Sequence, residues 1–291
     1  MIAGVSTRGG LAYYLDRDGR PEGLGVPPKM FPWRLLRRDP LGGVPVVLVH
    51  GFGYDPWARG DDNPHVVGPL GQASTFGLWR RDLVPARAAI GLGWYSVPVG
   101  WRGLWGAWRH RRWNRYRWAW DLAEQAGTVL AVLLRRLDGP VDILCHSLGS
   151  RVVIAALGAD TALPVKNVVF MNGAEFAVPA AFRARASRQV RFVNLVVKAD
   201  DVLAKLDTAF APVSRQGPPI GLAGLGARPN NWIDVALDDP QVQRWGATRG
   251  WHLAGDNPKQ WADHWYTYRQ PGNHGLIRAA LNGDPLDPPA P

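Results

Sequence analysis

The sequence has little of several residue types and patterns, and each absence excludes a class of protein. Cys145 is the only cysteine among 291 residues, so an intramolecular disulfide is excluded and nothing indicates an oxidising compartment. The first twenty residues lack the charged start and the apolar run of about 7–15 residues that a secretory signal requires. The longest clean apolar run, 129–134, is far shorter than the roughly 20 residues that span a bilayer. These absences predict a cytoplasmic protein that does not cross a membrane.

Signatures of metal and phosphate sites are missing as well. No His/Cys cluster has the spacing of metal ligands, so we expect neither a metal nor another cofactor. The glycine run 221–226 has no strand pattern before it and no helical pattern after it, which predicts a flexible loop rather than a phosphate site. No repeat and no Gly/Ser-rich or Pro-rich linker divides the chain. We therefore predict one domain over 1–291.

The composition indicates a folded protein with a hydrophobic core, but it does not decide whether the positive charge has a function. The apolar fraction is 46%, which is enough for folding by hydrophobic burial. The net charge of +10 would attract nucleic acid or anionic membranes. However, 29 of the 34 basic residues are Arg, alongside 34 Gly and 25 Pro, a pattern that GC-rich coding also produces. We predict no nucleic-acid partner from the charge alone.

From residue 44 onward, short apolar runs alternate with helical patterns. The predicted strands are 44–50, 88–96, 141–145, 165–171 and 191–198, each nearly continuous in Val, Leu or Ile. Apolar residues recur at helical spacing between residues 118 and 133, and further helices are predicted at 148–157, 179–189 and 275–281. The fold class is therefore α/β, a mostly parallel, doubly wound sheet with helices on both faces.

The strongest chemical signal is a strand that runs into a serine and then into a helix. Residues 141–145 form the strand, Ser147 follows at the turn, and Gly149 opens the helix. A sharp strand-to-helix turn lifts the serine hydroxyl clear of the sheet and needs small residues two positions before and after it. Cys145 stands where the usual G-x-S-x-G has its first glycine. The segment resembles the nucleophile elbow of the α/β-hydrolase fold, a family of serine esterases and lipases, and this resemblance implies Ser147 as the nucleophile.

A second strand ends in a His-Gly turn about a hundred residues before the serine. It is formed by residues 46–53 and includes His50, Gly51, Phe52 and Gly53. In the family that this chain resembles, such a turn provides half of the oxyanion hole, in which two N–H groups face the oxygen that becomes negative. The resemblance implies the N–H of Phe52 or Gly53, and the N–H of Leu148, as donors. His50 is expected to orient the loop rather than to act as the base.

A serine nucleophile needs a base and a carboxylate that orients it, in the chain order Ser, then acid, then His. The strand 191–198 is followed by Asp200 and Asp201, and one of this pair is expected to be the acid. The family pattern of an acid, any residue and two aliphatic residues favours Asp200. Asp201 is the alternative, and the carboxylate that is not the acid would cap the next turn.

Three histidines follow the aspartate pair, and any of them satisfies the chain order: His252, His264 and His274. The resemblance to the family's last loop, with aromatic residues and a proline after the histidine, favours His264. His274 is the main alternative. Predicted contacts with substrate are Gly51, Gly53 and His146, together with two tryptophans of an insertion, Trp101 and Trp105.

That insertion, 97–120, is rich in Trp and Arg. It is predicted to be a lid or acyl-binding wall over the site, a membrane-surface element or an anion-binding patch, or alternatively tryptophans packed under the fold and covered by arginine stems. The sequence thus predicts a serine hydrolase acting on a small-molecule acyl ester, with membrane-surface contact as a further option. The resemblance equally covers acyltransferases. A non-catalytic protein that binds anionic lipid or polymer through the Trp/Arg segment is the alternative hypothesis.

Overall fold

The computed structural model of the chain describes residues 3–8, 11–15, 21–27, 29, 44–58, 62–65, 74–96, 111–137, 139–214, 216–255 and 264–289. Within these ranges one sheet contains nine strands. They are β1 (Ala3–Arg8), β2 (Leu11–Leu15), β3 (Pro21–Val26), β4 (Val46–Val49), β5 (Ala89–Trp94), β6 (Val141–His146), β7 (Val165–Met171), β8 (Arg191–Val196) and β9 (Trp232–Ala236).

The strand order across the sheet is β3-β2-β1-β5-β4-β6-β7-β8-β9. Strand β2 pairs antiparallel with β1 and β3, and every other neighbouring pair is parallel. The carboxyl ends of β4, β6, β7 and β8 therefore meet at one edge of the sheet. In such sheets this edge is where ligands bind.

Helices cover both faces of this sheet. They are α1 (Thr75–Asp82), α2 (Arg111–Arg136), α3 (Gly149–Ala159), α4 (Ala177–Ala186), α5 (Asp201–Ser214), α6 (Ile220–Ala223), α7 (Pro240–Ala247), α8 (Tyr266–Arg269) and α9 (Pro271–Asn282). Alternate strand residues point to opposite faces. Val47 and Ile143 pack in one core with α2 and α3, whereas Val46 and Leu144 pack in the other with α1 and α9. The predicted class, a mostly parallel sheet with helices on both faces, is confirmed.

The five predicted strands are all present, and 165–171 has the predicted bounds. The predicted helices 148–157, 179–189 and 275–281 are also present, with ends shifted by a few residues. Strands β1 to β3 and β9 were not predicted, because they are not continuous runs of aliphatic residues. Strand β9, for example, includes the buried polar Asp234.

Two segments differ from their predictions. Residues 111–120 of the predicted insertion are the first turns of α2, while 97–110 lie outside the described residues. The predicted flexible loop 221–226 begins inside α6 instead. A Cβ on Gly221 would lie 2.4 Å from the backbone nitrogen of Gly173, so this glycine lets two backbones touch. Among the described residues, no helix is both long enough and apolar enough to cross a membrane.

Candidate active site

Ser147 lies at the sharp turn between β6 and α3. Its φ is 52°, a left-handed conformation that non-glycine residues rarely adopt and that costs free energy. The turn is fixed by its neighbours, since the Ser147 N–H donates to the carbonyl of Met171 and its own carbonyl accepts from the N–H of Ala174, both at 3.0 Å. The side chain is nearly buried, with 7% exposure. This is the strained geometry that the sequence predicted for a nucleophile elbow.

Close backbone approach explains the glycines around this serine. A Cβ on Gly149 would lie 2.6 Å from the carbonyl oxygen of Val49, and a Cβ on Gly51 would lie 2.7 Å from the Cβ of Ser147. Cys145 needs no such gap, because its side chain lies in the core, where its Sγ–H donates to the carbonyl of Val169. Burial raises the pKa of this thiol well above its ordinary value, so Cys145 is a core residue rather than a nucleophile.

The turn after β4 is held by His50 and by a serine that the sequence analysis missed. His50 donates from Nδ1 to the carbonyl of Gly51 at 2.8 Å, and its Nε2 accepts the N–H of Trp94 at 2.9 Å. Ser96 donates from its hydroxyl to the same Gly51 carbonyl at 3.1 Å. In a trans peptide the next N–H points opposite to the carbonyl. These two bonds therefore fix the direction of the Phe52 N–H.

His50 has the orienting contacts predicted for it. Its ring is fully buried and stacks on Trp94 with an interplanar angle of 3°. Burial lowers the pKa of His50 to about 3, so the ring is neutral near pH 7 and can donate from one nitrogen while accepting at the other.

The second predicted oxyanion donor belongs to Leu148, which directly precedes α3 at its N-cap position. The first N–H groups of a helix have no partner inside the helix, and the helix dipole gives that end partial positive charge. An anion next to Ser147 would therefore be favoured there. Gly53, predicted as a substrate contact, is exposed in the same turn as Phe52.

Asp200 and His264 form a direct pair, although 64 residues separate them in the chain. His264 Nδ1 lies 2.6 Å from Asp200 Oδ2, and both side chains are nearly buried, with exposures of 5% and 1%. His264 Nε2 is buried and has no hydrogen-bond partner among the described residues. An imidazole that donates from Nδ1 to a carboxylate keeps a lone pair on Nε2, which is what a general base requires.

The two oxygens of Asp200 have different partners. Oδ1 accepts the N–H groups of Val202 and Leu203, both at 3.0 Å, and so caps α5. Oδ2 accepts from Asn172 Nδ2 at 2.7 Å as well as from His264. Burial favours the neutral carboxyl, but His264, the Leu203 N–H and Asn172 outweigh it and hold the pKa of Asp200 below its ordinary value.

The alternative acid and bases lie elsewhere. Asp201 is the first residue of α5, and the capping that was expected from the second carboxylate is done by Asp200 itself. His274 lies on α9, where its Nε2 bonds to the carbonyl of Tyr268 at 2.9 Å. His252 is exposed. Of the three candidate histidines, His264 is the one that the structure brings to Asp200.

Asn172 was not singled out from the sequence. It directly follows β7 and has a φ of 49°, a second left-handed residue at this edge of the sheet. Asparagine is among the residues that tolerate this conformation best. An Asn after a parallel strand is a weak signal by itself, because its contact with Asp200 depends on how β7 and β8 are paired.

His146 differs from its prediction as a substrate contact. It is 2% exposed, and its Nε2 lies 3.0 Å from the carbonyl oxygen of His264. Its ring also packs on the His264 ring, with centroids 4.7 Å apart. The contact that the structure gives His146 is thus with the predicted base. The other two predicted contacts, Trp101 and Trp105, lie outside the described residues.

A group of apolar side chains lies next to the Phe52 turn. The Phe52 ring lies 5.7 Å from that of Tyr116, which also packs on a small buried cluster of Ala174, Leu203 and Leu206. We call these five residues the apolar wall. Its members come from the turn after β4, from α2, from the loop after β7 and from α5. The wall adjoins the elbow through Ala174, whose N–H donates to the Ser147 carbonyl.

One buried carboxylate near the elbow was also missed. Glu175 is 1% exposed and lies 3.4 Å from Arg151, measured from Oε2 to a guanidinium nitrogen. Burial raises the pKa of Glu175, and Arg151 offsets this effect only in part. Arg151 in turn lies 4.3 Å from the ring centre of Trp120. No pattern in the sequence marks this pair.

The sequence matches no family model, and it matches none of the curated proteins. Among solved structures, it is similar to Est816, described as an N-acyl homoserine lactone degrading enzyme, with 12% identity and a TM-score of 0.34 over 83% of this chain and 93% of that one. It is also similar to lipase B of Aspergillus fumigatus, with 12% identity and a TM-score of 0.35 over 85% of this chain and 66% of that one.

Proposed function

We propose that this chain is a serine hydrolase of the α/β-hydrolase fold that cleaves a carboxylic ester or a related acyl bond through an acyl-enzyme intermediate. The observation that carries the proposal is the buried pair between His264 Nδ1 and Asp200 Oδ2. The main-chain carbonyl of His264 is bonded to His146, the residue directly before the strained Ser147. A structural serine needs neither a left-handed backbone nor an imidazole that is oriented by a carboxylate on the adjoining loop.

The proposed reaction has an acylation half and a deacylation half, and His264 acts in both. His264 Nε2 takes the hydroxyl proton as Ser147 Oγ attacks the acyl carbonyl, and the N–H groups of Phe52 and Leu148 stabilise the oxyanion. His264 then gives that proton to the leaving alkoxide, and the C–O bond to the leaving group breaks. Water, deprotonated by His264, then attacks the acyl-enzyme carbonyl. The bond from the acyl carbon to Ser147 Oγ breaks, His264 returns the proton to that oxygen, and the acid is released. Asp200 stays ionised throughout and stabilises the imidazolium.

The apolar wall supports an apolar acyl group. Phe52 and Tyr116 are only partly buried and offer aromatic surface near the elbow, and burying such surface contributes about 25 cal/mol per Å². A charged acyl chain would lose its hydration there without gaining a partner from these side chains. We therefore propose a neutral, apolar acyl ester as the substrate class.

A fluorophosphonate label tests the nucleophile directly. The reagent should modify Ser147, located by peptide mass mapping, and Ser147→Ala should abolish labelling and lower the turnover of a short-chain chromogenic ester by about 10⁴-fold or more. The matched control is Ser187→Ala, which should change neither the labelling nor the turnover. Ser187 is buried at the end of α4, and its hydroxyl has no partner among the described residues. Wild-type turnover in Ser147→Ala, or a label on another residue, would show that the nucleophile is wrong.

The acyl acceptor separates a hydrolase from an acyltransferase. We expect the wild-type enzyme to convert the ester to free acid in water, with only a minor share of new ester when a short alcohol is added. A dominant transfer product at low alcohol concentration would assign the acyltransferase reaction instead. A protein that resists labelling but binds anionic vesicles in a salt-sensitive way would favour the binding function.

A further inference from the structure

His146 occupies the space between the elbow and the loop that carries His264. It is the last residue of β6, directly before Ser147, and its ring lies between two aromatic rings. The His264 ring is on one side, and the Tyr268 ring meets it edge-on, with centroids 5.1 Å apart and an interplanar angle of 86°. Tyr268 packs in turn on Trp79, within the core below α9. His146 is therefore confined by packing on both sides.

The hydrogen bond of His146 requires one particular tautomer. The partner of its Nε2 is the carbonyl oxygen of His264, at 3.0 Å, and a carbonyl oxygen only accepts. The proton must therefore be on Nε2. Burial, together with the neighbouring His264, lowers the pKa of His146 well below its ordinary value, so the ring is neutral. A neutral ring adds no positive charge next to the imidazolium that forms on His264 during turnover.

His264 is thus held at two points. Its ring is bonded through Nδ1 to Asp200, and its main chain is bonded through the carbonyl to His146. A bond to the ring alone fixes one end of the side chain and allows the residue to pivot about that bond. A second bond to the main chain removes this freedom and fixes where Nε2 points.

We propose that His146 is a positioning residue: its Nε2–H, donated to the His264 carbonyl, ties the histidine loop to the nucleophile elbow and sets the position of His264 Nε2 over Ser147. The proposal rests on the proposed function of Ser147 and His264. Because the donor is attached to the residue next to the nucleophile, any displacement of the elbow is transmitted to the base. The reacting atoms keep their separation when the loop and the sheet move relative to each other.

Two substitutions separate the hydrogen bond from the packing. His146→Phe keeps a ring between His264 and Tyr268 but has no donor, whereas His146→Gln loses the ring and keeps an N–H at the reach of Nε2. We expect His146→Phe to lower kcat by about 10- to 100-fold with KM little changed, since a misplacement of about 1 Å at the reacting atoms costs about that much. His146→Gln should stay within about threefold of wild type, because its amide restores the donor. Full activity in His146→Phe, or equal losses in both variants, would overturn the proposal.

A spectroscopic measurement keeps the proposal testable if His146→Phe does not fold. In the wild-type protein labelled with ¹⁵N-histidine, the His146 resonance should show a protonated Nε2 and an unprotonated Nδ1, and a protonated Nδ1 would overturn the proposal. Fluorophosphonate labelling of the wild type is measured in parallel. Failure to label Ser147 contradicts the proposed function, whereas a labelled wild type with a fully active His146→Phe contradicts only the role of His146.

Discussion

The amino and carboxyl ends of the parallel strands each hold a buried aspartate. The two aspartates are held in similar ways but have different partners. At the amino end, Asp142 of β6 accepts from Asn167 of β7 at 2.8 Å and pairs with the guanidinium of Arg87. At the carboxyl end, Asp200 accepts from Asn172, directly after β7, and pairs with His264. Strand β7 thus supplies an asparagine to an aspartate at both of its ends.

The two partners, Arg87 and His264, differ in whether they can change charge. Arg87 carries a permanent charge, and it also donates to the carbonyls of Val44 and Leu281, so its pair with Asp142 fastens three elements together. An imidazole can gain and lose a proton near neutral pH, so the pair of Asp200 with His264 can change charge during a reaction. A similar scaffold therefore holds a fixed ion pair at the amino end and, on the proposed function, the reacting pair at the carboxyl end.

The largest effect should follow from changing Asp200 itself. Asp200→Asn should lower kcat by about 10⁴-fold while the protein stays folded, because an amide no longer stabilises the imidazolium or fixes its tautomer. Asp201→Asn is the matched control and should change kcat by less than about twofold, since an exposed or half-buried side chain without a specific role has small effects. Steady-state kinetics with a chromogenic ester, with circular dichroism as the folding check, measures both. A larger loss of kcat in Asp201→Asn than in Asp200→Asn would show that Asp201, rather than Asp200, is the acid.

An intermediate effect, on stability only, is expected at the amino end. Arg87→Met should lower the free energy of unfolding by about 3 kcal/mol, because Asp142, 2% exposed, is left without its cation. Arg135→Met removes an exposed pair with Asp160 and should cost less than about 1 kcal/mol. Urea unfolding gives both values. A strong loss of kcat in a folded Arg87→Met would show that the ion pair at the amino end also affects catalysis.

The smallest effect should come from Asn172, the asparagine bonded to Asp200. Asn172→Gly keeps the left-handed backbone and removes the amide from Asp200, so we expect kcat to fall by about tenfold, as for one lost hydrogen bond to a charged group. Asn167→Ala removes the corresponding amide at the amino end and should lower stability with kcat unchanged. Kinetics and urea unfolding of the two variants side by side make the comparison. If both asparagines affect only stability, Asn172 has no part in orienting Asp200.

The features that the sequence predicted are those fixed by local chain order. The strand before Ser147, the glycine after it and the aspartate pair after β8 can be read along the chain, because each depends on a few consecutive residues. The histidine was harder to choose, since three residues satisfied the chain order and only the folded loop brings His264 to Asp200. Its hydrogen bond joins positions 64 residues apart.

The features that the sequence did not predict depend on register and packing between distant segments. Asn172 reaches Asp200 because β7 and β8 are paired so that both strands end at the same level. Ser96 reaches the Gly51 carbonyl because β4 and β5 are neighbours. His146 was predicted to contact substrate, whereas the folded chain bonds its Nε2 to the His264 carbonyl and packs its ring against Tyr268 of α8.

The backbone at residue 147 has a wider consequence. A glycine would adopt a φ of 52° with less strain than the serine that is there, so replacing the hydroxyl-bearing residue would relax the turn. On the proposed function, stability and turnover therefore oppose each other at this one position. A lineage that had no use for the hydroxyl would be free to replace the serine with glycine and relax the turn.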